Sequence, residues 1–112
     1  MGQPNLDKLR QELRRGTLVL AVLAQLREEH YGYSLRKALH DHGLAVEEGT
    51  LYPLIRRLES QGLLDSQWRE ESNRRKRFYH LSDTGHAVLD ALARDWADMN
   101  GCLKSLLKGA GT

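Results

Sequence analysis

The sequence predicts an α+β fold that is mostly α. Three observations predict it. Apolar residues at Leu51, Leu54, Ile55 and Leu58 recur at i, i+3, i+4, i+7, in a helix that follows a shorter one across a glycine-containing connection. Two alternating stretches, 63–70 and 75–81, flank a polar turn and read as a hairpin. A final segment, 82–108, repeats apolar residues in heptad steps. Together they predict a winged helix-turn-helix with a long C-terminal dimerisation helix.

The chain has 112 residues, enough for a single domain at 1–112. The helix-turn-helix and hairpin would occupy 5–81 and the last helix 82–108. A core this small is helped by a partner subunit. The single cysteine, Cys102, allows no intrachain disulfide, and one chain cannot build a four-ligand zinc site from it. The start, M-G-Q-P-N-L-D-K-L-R, has no apolar run behind its charges, so no signal peptide is expected. The longest apolar run, Gly16 to Leu26, is far short of a bilayer core of about 30 Å. A cytoplasmic protein without membrane contact is expected.

Residues 6–29 read as one helix or two abutting ones, with Leu9, Leu13, Leu20 and Leu23 at helical spacing. Gly16 separates a basic part (Lys8, Arg10, Arg14, Arg15) from an apolar part, and a bend is expected there. The second half is apolar nearly all round, so it should contact both its own domain and a second subunit. His30-Tyr31-Gly32-Tyr33 breaks the pattern. A short helix follows over about 34–42, ended by Gly43.

The helix around 47–61 is the centre of the chain. Its apolar stripe faces inward, and Gly62 stops it. Its outer face carries Thr50, Pro53, Arg56, Arg57 and Ser60, with Tyr52 and Glu59 on one flank. Pro53 should lie early, which places the start between Glu47 and Thr50. Arginine suits both guanine and phosphate. Taken alone, the pattern fits a surface helix with a solvated Arg-Arg pair better than a DNA reader. Its neighbours change that.

In the hairpin, Leu64, Ser66 and Trp68 share one face of the first strand. Arg77, Tyr79 and Leu81 share one face of the second, with Lys76, Phe78 and His80 opposite. From Arg69 to Arg77 the tip carries a net charge of +3, which leaves −1 for the rest of a chain whose net charge is +2. Such concentration is the footprint that phosphate binding needs.

Ser82 is a good N-cap for the last helix. Leu89, Leu92, Trp96, Met99, Leu103 and Leu106 follow steps of 3, 4, 3, 4 and 3. At roughly 39 Å the helix outruns the small domain. A homodimer is the simplest partner for that seam, with Leu20 and Leu23 of the first helix contributing. The alternative is an intramolecular seam against the first helix, and the two can hold in different halves. Gly109 to Thr112 would be a short frayed tail.

Other chemistry is poorly represented. His40-Asp41-His42 cannot turn one face to a metal, so no metal is expected. Cys102 should be a quiet, partly buried thiol. The serines have no G-x-S-x-G context and no glycine-rich phosphate loop occurs, so neither catalysis nor a cofactor is expected. A protein–protein winged-helix module without DNA binding remains the alternative to a DNA-binding regulator. The charged hairpin favours the regulator.

Five motifs carry a family resemblance: Y-G-Y-S-L (31–35), E-G-T-L-Y-P-L-I-R-R-L-E-S-Q-G-L-L (48–64), W-R-E-E (68–71), R-K-R-F-Y-H-L (75–81) and the Ser-x-x-Gly of 82–85. On these, the chain resembles the PadR family of transcriptional regulators, in its short branch without a large C-terminal domain. The resemblance implies a dimer that binds double-stranded DNA at a palindromic operator and usually represses. Carried over by motif, it implies DNA contacts at Tyr33, Arg36, Thr50, Tyr52, Pro53, Arg56 and the hairpin residues Arg74, Arg75, Lys76 and Arg77. Asn73 stands where the family's turn often has glycine, and Asn tolerates positive φ well enough for the turn to form. The resemblance also implies a small aromatic or drug-like effector. Trp96 on the seam would either sandwich such a ligand with its partner copy or simply pack the interface.

Overall fold

The computed structural model describes residues 5–109. The first helix, α1 (Leu6–Gln25), runs through Gly16 without interruption. The expected tail beyond Gly109 lies outside the described residues. The break at 30–33 holds a two-residue strand, β1 (His30–Tyr31), which sequence patterning missed. Two residues are too few to show alternation; the strand exists because a neighbouring strand pairs with it.

Next come α2 (Gly32–Asp41) and α3 (Glu48–Ser60). Both end on glycine in the left-handed region, Gly43 at φ +89 and Gly62 at φ +81. At each end the following N–H reaches back to the helix: Leu44 donates to the Leu39 carbonyl at 2.9 Å, and Leu63 to that of Leu58 at 3.0 Å. These two matched stops set where α3 begins and where the hairpin leaves it. Pro53 sits in the second turn of α3, not the first, so it removes the N–H that would have met the Gly49 carbonyl. Gly49 and Pro53 are both exposed.

The hairpin pairs β2 (Leu64–Glu71) with β3 (Arg74–Leu81), and β3 also pairs with β1, giving the antiparallel order β1-β3-β2. Ser72 (φ 54) and Asn73 (φ 63) form a two-residue turn of the type that matches strand twist. The Asn thus does the work expected of it. Last comes α4 (Asp83–Gly109), whose first turn is capped by Ser82, its Oγ accepting from the Gly85 N–H at 3.0 Å.

Val22 and Leu23 of α1, Leu26 just past its end, Leu35 and Leu39 of α2, the four-residue stripe of α3, Leu64, Leu81 and Leu89 build one core. Two seam residues are therefore corrected. Leu23 is wholly buried and Leu89 nearly so, because α1 and the start of α4 pack on each other within the chain. Neither is open to a second subunit. Cys102, expected to be partly buried, is exposed.

Candidate nucleic-acid interface

The core stripe of α3 turns its other face outward. Thr50, Pro53, Arg56 and Arg57 are all exposed there. Tyr52 is half-buried on the flank, its ring laid against Gly32 at the start of α2. A Cβ on Gly32 would come within 2.9 Å of that ring, so a side chain there would have to displace the Tyr52 ring from its present seat. Burial raises the Tyr52 phenol above its ordinary pKa, as does Glu48, against Arg36. Burial likewise raises Tyr79. Both remain protonated hydroxyls, able to donate.

Between α3, the start of α2 and the hairpin lies a groove of about 550 Å³. Tyr33, Tyr52, Arg56, Trp68, Lys76, Arg77 and Tyr79 are among its lining residues. The structure thus brings Arg56 of α3 and Lys76 and Arg77 of the basic strand to one groove. A second hollow, of about 350 Å³, sets Arg14 and Arg15 of α1 beside Thr50 at the start of α3. Sequence reading named those arginines only as the basic end of α1. The signal for their placement is tertiary.

The cations differ in what holds them. Arg77 donates from its Nε to Ser66 Oγ at 3.0 Å and from one terminal nitrogen to both Glu59 oxygens, at 3.1 and 2.9 Å. Ser66 in turn donates to Glu59. This ties the hairpin to α3. Arg36 donates to the Val46 carbonyl at 3.0 Å and meets Glu48 at 3.5 Å, bracing the connection between α2 and α3. Lys76 meets Glu71 at 3.3 Å and lies over the Tyr31 ring. Arg69 pairs with Glu29 across to the end of α1. Among the described residues, no salt bridge engages Arg56, Arg57, Arg74 or Arg75. No carboxylate within the described residues offsets the charge of those four guanidiniums.

A different surface runs between α1 and α4. There Trp96, Met99, Leu103 and Leu106 are 44%, 58%, 52% and 68% exposed, while Leu20 and Leu92 are half-buried beneath them. All of these except Leu106 border a hollow of about 1010 Å³. No helix among the described residues is long and apolar enough to cross a membrane.

Comparison with known proteins fits this arrangement. The model of the PadR-like family of transcriptional regulators matches residues 19–91, from the apolar half of α1 to the buried start of α4. The chain belongs to that family. It is 38% identical over 79 residues to the transcriptional regulator Rv3488 of Mycobacterium tuberculosis, covering 70% of this chain and 74% of that one. Its fold is similar to a PadR family transcriptional regulator from Eggerthella lenta, at 46% identity, TM-score 0.87 and 93% coverage of each chain. It is also similar to a PadR-like regulator from Bacillus cereus, at 30% identity and TM-score 0.79, with 88% of this chain and 98% of that one covered. This PadR-like chain is thus a transcriptional regulator with the winged-helix fold and long last helix of its family.

Three members of the candidate interface have no local sequence signal. Sequence patterning puts Glu59 on the flank of α3 and Ser66 and Trp68 on a strand face, and assigns none of them a role. Their signal was the hairpin register. Trp68 pairs with Arg77 and Ser66 with Tyr79, which puts all four on the face turned to α3.

Proposed function

We propose that the chain binds a palindromic operator as a homodimer, through the outer face of α3 and the hairpin wing, and acts as a repressor released by a small aromatic effector. The observation that carries the DNA reading is the set of unpaired guanidiniums, Arg56 and Arg57 on α3 with Arg74 and Arg75 on the wing. Arginine left without a carboxylate beside a groove lined by Lys76 and Arg77 suits a polyanion. Tyr33, Thr50, Tyr52 and Pro53 would sit against the same duplex, with Arg36 holding the α2–α3 connection at the right angle. The homodimer would form on the exposed half of the α4 seam, since a strip of that size on a lone chain favours a partner. Leu20 and Leu92 would lie at its inner edge. Trp96 would stack on a flat effector in the hollow between α1 and α4.

The test is the anisotropy of a labelled duplex titrated with the protein at rising salt. Log affinity should fall linearly with log salt, by about 0.9 for each phosphate contact. Duplex binding no better than a neutral polymer at low salt would instead make this a protein–protein module. The effector part is tested separately, by Trp fluorescence against a panel of flat aromatic compounds. Saturable quenching that vanishes in Trp96→Ala supports it, and quenching that persists in that variant removes it.

A further inference from the structure

Each face of the wing carries both held and unheld cations. On the face that bears Phe78, Arg69 is paired with Glu29 and Lys76 with Glu71, while Arg74 is in no salt bridge among the described residues; on the other, Glu59 holds Arg77 and no described carboxylate holds Arg75. The face toward α3 begins in the core at Leu64 and Leu81, passes through Ser66 and Tyr79, then Trp68 and Arg77, and ends at Glu70 and Arg75. Glu70 and Arg75 are direct cross-strand partners of opposite charge. That position allows an ion pair. Among the described residues none joins them. The Arg75 guanidinium lies instead over the Trp68 ring, 5.1 Å from its centre, and Arg77 lies 5.6 Å from the same ring. Trp68 itself is 52% exposed, so its ring is not there to fill the core.

A ring and a carboxylate hold a guanidinium differently. A carboxylate takes its N–H donors and cancels its charge. A ring face orders it through the quadrupole, and leaves both the donors and the charge available. We propose that Trp68 is the positioning residue of the wing: it draws Arg75 off Glu70 and presents that guanidinium, ordered but not neutralised, to a DNA phosphate. This rests on the DNA reading above.

The test uses the full-length protein and a labelled duplex, with Trp68→Phe, Trp68→Leu, Glu70→Gln and the double variant Trp68→Leu/Glu70→Gln. Trp68→Leu should weaken duplex binding about fivefold, with a salt slope smaller by about 0.9, as one phosphate contact is lost to Glu70. Trp68→Phe, which keeps a ring, should retain most of the affinity. Glu70→Gln in the Trp68→Leu background should recover most of the loss, because the competitor for Arg75 is gone. Glu70→Gln alone should raise affinity less than it does in the Trp68→Leu background; an equal gain in both would be the general effect of removing a carboxylate near phosphate and would overturn the proposal. Wild-type slope and affinity in Trp68→Leu would overturn the proposal and leave the DNA reading standing. A loss that Glu70→Gln fails to rescue would overturn it too. Absence of duplex binding by the wild type itself would remove both readings at once.

Discussion

Glu59 of α3 and Arg77 of β3 are joined by two contacts, at 3.1 and 2.9 Å, from one guanidinium nitrogen to the two carboxylate oxygens. Ser66 bridges the same pair from β2. For α3 and the wing to meet one duplex, as proposed, the angle between them must be fixed, and this polar contact joins the two. Arg77 is therefore held by the protein, unlike Arg74 and Arg75. In a double-mutant cycle, Glu59→Gln and Arg77→Gln should couple by about 0.5–1 kcal/mol, measured by urea unfolding; both side chains are partly open to water, which limits the figure. Additive losses would mean that the pair sets no angle.

Gly85 is the second fixed point. A Cβ there would lie 2.1 Å from the Leu63 carbonyl oxygen, which is backbone and cannot step aside. The same carbonyl accepts from the Ser82 N–H at 3.0 Å. Gly85→Ala should push α4 away from the end of α3 and cost at least about 1–3 kcal/mol, as overpacking does. A thermal midpoint equal to wild type would contradict the close packing of α4.

Arg56 and Arg75 should fail differently. Arg56 stands on the exposed face of α3 and Arg75 near the wing tip. Arg56→Ala should cost about 1–3 kcal/mol against the best duplex and relax base preference. Arg75→Ala should weaken all duplexes about equally. Equal loss of selectivity in both variants would mean that helix and wing do not divide the work.

His30 predicts a pH effect on stability. Its ring nitrogens lie 2.9 Å from Ser34 Oγ and 3.1 Å from Gln25 Nε2. Burial pushes its pKa below the ordinary 6.5, with Glu28 opposing. The unfolded chain therefore takes up the proton first as pH falls. Stability from this site is full above about 6.5 and declines through the window beneath it, until folded His30 protonates as well. Urea midpoints at pH 7.5 and 5.5 should differ less in His30→Gln than in the wild type. An identical difference would place the acid sensitivity elsewhere.

Much of the fold could be read from local rules. The α3 stripe, the glycine stops at Gly43 and Gly62, the Ser82 cap and the Asn73 turn are each fixed by residues within a few positions of one another. The α3 surface and the wing were legible as charge for the same reason. What stayed hidden was tertiary. β1 is a strand only because β3 lies beside it. Heptad spacing marks Leu89 and Trp96 alike, yet α1 covers the first and leaves the second open. Counting charges on the wing could not tell Arg77, which Glu59 holds, from Arg75, which no carboxylate holds.

The proposed dimer has a geometric consequence. Two copies of α3 related by a two-fold axis should meet half-sites one DNA turn apart, roughly 34 Å. Five base pairs inserted between half-sites would turn one copy of α3 to the far side of the duplex. Binding should be abolished, and unchanged affinity would rule out that spacing.

The most direct test of the central claim is selection of duplexes from a randomised pool by the purified protein, with Arg56→Ala beside it. A reader of DNA that uses α3 in a dimer should enrich a two-fold symmetric sequence with half-sites about 10 base pairs apart. The variant should enrich it less sharply at the positions facing Arg56. Failure of the wild type to enrich any sequence over the starting pool, or enrichment that Arg56→Ala leaves untouched, would contradict the assignment of α3 as the reading helix.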